Sequence, residues 1–249
     1  MSDERTPNLS RRQFITGAAA AVASLTVAPG VFLLKTSSAS IPDSPGTKPG
    51  ARWGILIDSN KCGDCNACVT ACHEENGVKS LNRPRTDAQW IRKVEITDRA
   101  TGHSRSLPVM CQHCEHPPCA DVCPTGASFR RADGIVLVNK HTCIGCRYCM
   151  MACPYKARSF IHEPLEDQLP HAPRGKGTVE SCTLCVHRID RGERTTACVE
   201  ACRKDGNGAM VFGNLNDPDS EISRRLAQYG GVAIRADLGL NPGVRYQGL

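Results

Sequence analysis

The sequence predicts an α+β fold of two interleaved modules, in which short helices and antiparallel hairpins surround groups of cysteines. Three observations predict this fold class. All 16 cysteines of the 249-residue chain fall into four groups of four. Short apolar segments separated by turn residues flank these groups, as expected of hairpin strands. Residues 135–139 before Cys143 also repeat the pattern of residues 54–58 before Cys62, which indicates an internal repeat.

The cysteine spacing indicates the chemistry of the groups. The third group has the spacing C-x2-C-x2-C-x3-C and is followed by Pro154. Bacterial ferredoxins use this run to hold a [4Fe-4S] cluster with three thiolates, and they give the fourth thiolate to a neighbouring cluster. We therefore expect bacterial-ferredoxin-like modules with two clusters each. The four groups are Cys62, Cys65, Cys68 and Cys72; Cys111, Cys114, Cys119 and Cys123; Cys143, Cys146, Cys149 and Cys153; and Cys182, Cys185, Cys198 and Cys202.

The first and third groups share one spacing, and the other two depart from it. Two extra residues lie inside the second group, and twelve residues separate the inner cysteines of the fourth. Taken alone, the fourth group also fits a structural zinc site. Beside three ferredoxin-type runs, we expect an iron–sulfur cluster there as well. Iron bound by all 16 cysteines would fill a centre that aromatic residues, only 4% of the chain, cannot fill.

The first 39 residues are typical of a twin-arginine signal peptide. Arg11 and Arg12 precede an apolar stretch at residues 15–34, and small residues at 37–39 offer a cleavage site. An N-terminal membrane anchor is the alternative, but the Gly, Thr, Ser and Pro residues of the stretch make a poor permanent span. Because this route exports folded proteins, we expect the thiols to bind iron before they reach an oxidising, periplasmic compartment. A disulfide framework, which an exported cysteine-rich chain would otherwise suggest, is not expected.

The remaining elements follow the cysteine groups along the chain. Residues 40–51 are a predicted linker, and residues 52–110 hold the first group and a polar, solvated insertion hairpin. Residues 111–160 form an inner module around the second and third groups, residues 161–213 complete an outer module with the fourth group, and residues 214–249 are an irregular C-terminal segment. The smaller predicted elements are strands at 53–58, 89–97, 104–109, 127–131, 135–138, 210–213 and 232–234, and a helix capped by Asp219 or Ser220 that runs to about Gln228.

The positive charge of the chain does not indicate nucleic-acid binding. The formal net charge is +6, of which the signal segment contributes a net +2. Each oxidised cubane with four thiolates carries a charge of about −2, so four clusters would make the loaded chain mildly acidic. The basic residues are therefore interpreted as internal compensation, and no nucleic-acid partner is expected.

The fourth cysteine of each group must pass to another group, and two pairings are possible. Sequential pairing joins the first group with the second and the third with the fourth. Nested pairing joins the second with the third and encloses them within the first and fourth. The sequence favours nesting, because only the second and third groups end in Cys-Pro and the shortest connection lies between them.

From Trp53 to about Tyr246 the chain resembles the four-cluster iron–sulfur subunits of respiratory membrane complexes, such as the electron-transfer subunits of dimethyl sulfoxide, polysulfide and nitrate reductases and of cytochrome-linked nitrite reduction. The runs CQHCEHPPC, CIGCRYC and CTLCVHRI carry the resemblance. Within that family, residues 52–77 and the signal are similar to the exported subunits of the Dsr complex of sulfur-metabolising prokaryotes. Arg203 departs from the family, which usually has proline after the fourth group.

The resemblance implies a ligand set for each cluster and two kinds of partner. Since Cys146 is present, four [4Fe-4S] clusters are implied. An integral-membrane, quinone-interacting subunit and a multihaem cytochrome c or molybdopterin subunit are the implied partners. The implied ligand sets are Cys62, Cys65, Cys68 and Cys202; Cys182, Cys185, Cys198 and Cys72; Cys111, Cys114, Cys119 and Cys153; and Cys143, Cys146, Cys149 and Cys123.

The predicted function is single-electron transfer through four clusters, without a catalytic site in this chain. A self-contained reductase is the competing enzyme hypothesis, but the sequence has no Gly-rich dinucleotide loop and no CxxCH haem motif. A zinc scaffold is a second competitor. His73, His113 and His116 are expected to tune the clusters or to be solvated loop residues rather than ligands. Basic residues near the cysteines should raise cluster potentials, and Arg147, between two ligands, is the first candidate; the others are Lys61, Lys140, Lys156, Arg158, Arg188, Arg203 and Lys204.

Overall fold

A computed structural model describes residues 46–249, and it confirms a mixed fold of short helices and small sheets. The export signal and the first half of the linker lie outside the described residues. The helices are α1 (Ala67–Glu75), α2 (Pro118–Asp121), α3 (Tyr148–Ala152), α4 (Val186–Asp190), α5 (Ala197–Lys204) and α6 (Glu221–Tyr229). The strands are β1 (Trp53–Asp58), β2 (Ile91–Thr97), β3 (Ser104–Met110), β4 (Ser128–Arg130), β5 (Val136–Val138), β6 (Ser159–Phe160), β7 (Val179–Glu180), β8 (Met210–Asn214) and β9 (Val244–Gln247).

Strand β1 is the centre of a three-stranded sheet in the order β8-β1-β9. It runs antiparallel to β8 and parallel to β9, and all six of its residues are buried. Its apolar sequence suits this position, because a strand covered on both faces needs no alternation of polar residues. Ile55 and Ile57 enter the main core, whereas Leu56 packs on Val211 and Ile222 of β8 and α6.

The C-terminal segment is more regular than the sequence predicts. The expected strand at 232–234 is reduced to a single bridge between Val232 and Tyr246, and the tail predicted to be irregular contains β9. Val244 and Tyr246 alternate with polar residues and are fully buried. Two alternating apolar residues give too short a pattern to identify a strand, so pairing with the distant β1 decides the conformation.

Both predicted hairpins are confirmed. Strands β2 and β3 pair from Ile91 opposite Met110 to Thr97 opposite Ser104, and β4 and β5 pair around a turn whose Gly134 has φ +86°. The insertion hairpin is only partly solvated, however. Its inner end, including Ile91 and Met110, is buried in the main core, while its outer end is exposed. This hairpin therefore covers the core as well as facing solvent.

The connector between the third and fourth groups also contains structure that the sequence does not reveal. Its two ends pair as β6 and β7, with Ser159 opposite Glu180 and Phe160 opposite Val179. A two-residue ribbon has no detectable periodicity, so only the folded chain shows it. The predicted helix near residue 220 is confirmed, and Ser220 is its cap, since the Oγ accepts a hydrogen bond from Ser223 N at 3.3 Å.

The presence or absence of Cys-Pro decides where the cysteine-bearing helices end. Helices α2 and α3 stop before Cys123-Pro124 and Cys153-Pro154, and Cys153 has an extended backbone (φ −75°, ψ 111°). Proline disfavours a helical conformation in the residue before it. Helices α1 and α5 meet no proline after Cys72 and Cys202, so they continue to Glu75 and Lys204. α1 packs on α5, and α2 packs on α3.

Within residues 46–249, none of the helices has the length and apolar character that crossing a membrane requires.

Candidate metal centres

The first cysteine group meets the last cysteine of the chain. Cys62, Cys65, Cys68 and Cys202 line one cavity beside Ala209 and Met210. The first three lie in the loop after β1 and on α1, and the fourth lies on α5. Burial, together with the neighbouring Cys202 and Cys62, raises the pKa of Cys68 to about 11. The packing of α1 on α5 thus brings together thiols that are more than a hundred residues apart.

The fourth group meets the last cysteine of the first. Burial raises the pKa of Cys72, and the nearby charges of Cys182, Cys198 and Cys185 raise it further. Hydrogen-bond donors already point at some of these sulfurs. Leu184 N lies 3.4 Å from Cys182 Sγ. Four thiols therefore converge from α1, α5 and the loop before α4.

The second group meets the last cysteine of the third. Burial, together with the nearby charges of Cys119 and Cys153, raises the pKa of Cys111 and of Cys114 to about 12. Cys153 reaches this position because its extended backbone turns away from α3.

The third group lies beside the last cysteine of the second. Burial raises the pKa of Cys149, and Cys123 is among the neighbours that add to it. Cys143 is half-buried and Cys146 is exposed. Backbone donors again reach the sulfurs, with Val179 N at 3.5 Å from Cys143 Sγ and Ser128 N at 3.4 Å from Cys123 Sγ. Ribbon β6–β7 supplies the first of these donors and β4 the second.

The four sets of thiols adjoin one another in series. Cys68 of the first set contributes to the raised pKa of Cys72 in the second. Cys111 of the third set has the same effect on Cys182, and Cys119 acts in this way on Cys149 of the last set. The two exposed cysteines, Cys65 and Cys146, belong to the first and last sets of this series.

The donors present fit iron–sulfur clusters. All 16 cysteines are free thiols, and most are buried. Thiolate-only donor sets in groups of four select iron–sulfur clusters or zinc, and a bound metal ion supplies the positive charge that buried thiolates otherwise lack. Among residues 46–249, the buried hydroxyl of Tyr155 has no hydrogen-bond partner, and it lies near Cys114 and Cys153. An unpaired donor beside two thiols fits an additional sulfur acceptor at that set.

Arg158 is the basic residue in closest contact with the thiols. Its side chain is buried, and Nη2 donates to Cys119 Sγ at 3.0 Å and to Ser128 Oγ at 2.8 Å. Burial opposes its charge, but the neighbouring Cys119, Cys111 and Cys149 hold the pKa of Arg158 above its ordinary value. Arg158 therefore lies between the third and last sets. The sequence places it among eight flanking basic residues, and nothing in the spacing distinguishes it.

Arg147, the first candidate from the sequence, has a different environment. It adopts φ +65°, and its guanidinium lies 3.7 Å from the centre of the Phe160 ring. This geometry is a cation–π contact, which anchors the cysteine loop to β6. Arg203, which replaces the usual proline, forms an ion pair with Glu221 at 2.7 Å and ties α5 to α6.

The histidines beside the cysteines have separate roles. His113 is buried, and its Nδ1 accepts a hydrogen bond from Val136 N at 3.0 Å. Burial lowers the pKa of His113 to about 3, so the ring is neutral. It joins the second cysteine group to β5 and is not the solvated residue considered from the sequence. His116 is exposed, and His73 is half-buried.

A charged network missed by the sequence analysis joins α1 to α4. Arg188 donates to both carboxylate oxygens of Glu75, at 2.7 and 2.6 Å, and His187 Nε2 lies 2.7 Å from Oε1. These contacts, Arg188 above all, lower the pKa of Glu75 to about 2. Glu75, His171 and His187 are spaced closely enough to hold a metal ion. The guanidinium already occupies the carboxylate, so the network is interpreted as an ion-pair clamp.

Comparisons with known proteins identify the same chemistry. The profile of the 4Fe-4S dicluster domain matches residues 58–127, and a second dicluster profile matches residues 103–215. Iron–sulfur subunit 1 of the Hdr-like menaquinol oxidoreductase of Archaeoglobus fulgidus is 44% identical, over 96% of this chain and 97% of its own. Protein NrfC of Escherichia coli is 39% identical over 94% and 92%. A tetrathionate reductase subunit of Salmonella typhimurium is 35% identical over 96% and 88%.

Proposed function

The chain belongs to the family of 4Fe-4S dicluster iron–sulfur subunits, and from this premise we propose how its cysteines divide among four clusters and which partners it connects. It is an electron-transfer subunit that carries four [4Fe-4S] clusters. The observation that carries the proposal is the series of four thiol sets with an exposed cysteine at each end.

The proposed ligand sets follow the four places where thiols converge. The modules interleave along the chain. Two of the ligand sets combine cysteines of the first and fourth groups, and the other two combine cysteines of the second and third groups. The contacts of Cys72 with the fourth group and of Cys153 with the second support this arrangement. The sets are Cys62, Cys65, Cys68 and Cys202; Cys72, Cys182, Cys185 and Cys198; Cys111, Cys114, Cys119 and Cys153; and Cys123, Cys143, Cys146 and Cys149.

When bound, each cluster can take up and release one electron. The chain positions neighbouring sets side by side, so an electron entering at one end would pass through all four sets in order. Buried walls exclude water from the inner sets, and backbone N–H groups such as Leu184 N donate to sulfur. Burial and hydrogen bonds to sulfur are the means by which a protein sets cluster potentials.

The two ends of the series offer different surfaces to partners. Around Cys146, the apolar side chains of Ile144, Tyr148 and Met151 are 66%, 54% and 65% exposed. Exposed apolar residues of this size, grouped together, are typical of an interaction site. We assign this end to the integral-membrane, quinone-interacting subunit. The Cys65 end is polar, with Lys93 Nζ 2.9 Å from Cys65 O, and we assign it to a multihaem cytochrome c or molybdopterin subunit.

The proposed setting is the periplasmic face of the membrane, in a complex of sulfur metabolism linked to sulfite reduction. The twin-arginine motif at Arg11 and Arg12 and the resemblance to Dsr-type subunits support it. The relationship to a menaquinol oxidoreductase subunit supports a quinol-linked pathway. A molybdopterin oxidoreductase or a nitrite-reducing system is the second candidate, as the resemblance of the cysteine runs implies. The tetrathionate reductase subunit and NrfC are similar to almost the whole chain.

Crossed ligation can be tested with three serine variants of the iron-loaded protein. Cys72→Ser is expected to alter the EPR signal of one cluster, and Cys185→Ser should alter the same signal because both residues belong to one proposed set. Cys68→Ser, four residues from Cys72, is the matched control and should alter a different signal. If Cys72→Ser and Cys68→Ser changed one common signal, the interleaved assignment would be wrong.

The relay itself requires the native complex. Purification of the tagged chain from its membranes should recover a membrane subunit, and added menaquinol should reduce the clusters in the complex. The isolated chain should hold about 16 iron atoms and little zinc, as four cubane clusters require, and should show no turnover of its own. Turnover by the isolated chain, or clusters in the complex that stay oxidised with menaquinol, would refute the proposed role.

A further inference from the structure

The structure contains a second polar site that none of the cysteine sets uses. A cavity of about 400 Å³ opens between the start of β1, the strand β4 and the C-terminal segment. Arg52, Arg130 and Arg245 line it, and Glu115 is the acidic residue of its lining. Leu215 and Leu226 form an apolar part of the wall. The volume falls in the range of small-molecule sites.

Only part of the positive charge in this cavity is compensated. Arg52 forms an ion pair with Glu115 at 2.6 Å, and its side chain is only 11% exposed. Arg245 Nη2 donates to the amide oxygen of Asn241 at 2.5 Å and has no carboxylate partner within residues 46–249. Arg130 also forms no ion pair with any of the described residues. The lining therefore carries a formal charge of +2.

The cavity positions two of these arginines, Arg52 and Arg245, in advance. Asn241 Nδ2 donates to Glu115 Oε2 at 2.5 Å, so the amide side chain bridges the ion pair of Arg52 and the guanidinium of Arg245. Burial lowers the pKa of Arg245, and the neighbouring charge of Arg52 adds to this effect. A bound anion would act on both guanidinium groups in the opposite direction. Planar guanidinium groups bind oxyanions through paired N–H donors.

We propose that this cavity binds a small divalent oxyanion, of the sulfate or phosphate class, through Arg245 and Arg130 with Arg52 held beside them by Glu115. A charge of −2 would neutralise the lining. Cys114 lies one residue before Glu115, and the charge of Arg52 acts on its thiol. The bound anion would therefore weaken the positive field at the set of Cys111, Cys114, Cys119 and Cys153, and it would lower the potential of that cluster.

The binding test uses the intact, iron-loaded chain and isothermal titration with sodium sulfate or sodium phosphate at constant ionic strength. Saturable binding of one anion per chain is expected. Arg245→Gln should weaken it by about tenfold or more, since a charge-assisted hydrogen bond is lost. Arg130→Gln should also weaken binding, and it keeps the test informative if Arg245→Gln fails to fold. Arg99→Gln, an exposed arginine in the insertion hairpin turn, is the matched control and should bind as the wild type does.

A redox titration separates this site from a diffuse surface effect. Sulfate should lower the potential of one of the four EPR signals in the wild type and in Arg99→Gln, and it should not do so in Arg245→Gln. Absence of saturable binding, or equal weakening by Arg99→Gln, would overturn the proposal. So would binding to the isolated chain that disappears in the native complex, because the occupant would then be an acidic group of a partner. The titration needs only the folded chain, so its failure would leave the electron relay unaffected.

Discussion

Replacement of Arg158 is expected to change two cluster potentials and leave two unchanged. Arg158 Nη2 lies 3.0 Å from Cys119 Sγ, and the charges of Cys119 and Cys149 both act on its guanidinium. Adding an electron makes a cluster more negative, and a nearby positive charge stabilises that state. Arg158→Gln should therefore lower the potentials of the two clusters assigned to the sets that contain Cys119 and Cys149.

The size of the effect follows from the contact distance. A full unit charge 3.0 Å from Arg158 would interact with it by roughly 5 kcal/mol at an effective dielectric constant near 20. One added electron is shared over a whole cluster, so between about a fifth and a half of that energy, ~1–2.5 kcal/mol, should remain. For a one-electron couple this corresponds to a decrease of roughly 40–110 mV.

The assay is an anaerobic redox titration followed by EPR, with iron content measured on each preparation. Arg158→Lys keeps the positive charge but loses the hydrogen-bond geometry of the guanidinium. Its two cluster potentials should therefore stay closer to those of the wild type than the potentials of Arg158→Gln do. Arg147→Gln, whose guanidinium stacks on Phe160, should lower one potential by less than Arg158→Gln does. Four unchanged potentials in Arg158→Gln, or four equal decreases with full iron content, would refute the electrostatic reasoning.

Two further changes test the clamp and the apolar end. Glu75→Gln should lower the free energy of unfolding by about 1–3 kcal/mol at pH 7, because Arg188 loses its charged partner. Because the pKa of Glu75 is lowered to about 2, the difference in the free energy of unfolding between the wild type and the variant should be complete above the ordinary carboxyl pKa. It should disappear as the pH falls towards 2, as measured by urea denaturation. Equal stability of the two proteins at pH 7 would contradict this prediction. Ile144→Asp should abolish co-purification of the membrane subunit and leave the iron content unchanged. Ile96→Asp replaces another exposed isoleucine and should still co-purify with that subunit. Equal recovery of the membrane subunit by both variants would contradict the assignment of this surface.

Local patterns allow the cysteine groups, β1 and both hairpins to be predicted. Each of these elements is specified within a few residues of itself, by metal-ligand spacing, by an apolar run or by turn residues such as Gly134. The same is true of the helix ends, because Pro124 and Pro154 act on the residue directly before them.

The remaining features depend on residues that are distant in the chain. Strand β9 is defined by its pairing with β1, and Arg158 reaches Cys119 because ribbon β6–β7 holds the connector in place. The clamp of Glu75 and Arg188 likewise joins two helices that are far apart in sequence. No local pattern separates Arg158 from the other basic residues near cysteines, so its contact with sulfur becomes visible only in the folded chain.

The central position of β1 has a consequence for biosynthesis. This strand leaves the ribosome early, yet its neighbours β8 and β9 are among the last residues to be translated. Cys202, which closes the cavity of the first thiol set, also emerges late. A nascent chain can therefore complete neither the sheet nor that set until translation is almost finished. An export pathway that accepts only folded, iron-loaded protein therefore cannot begin to transport the chain until its C-terminal part has been translated.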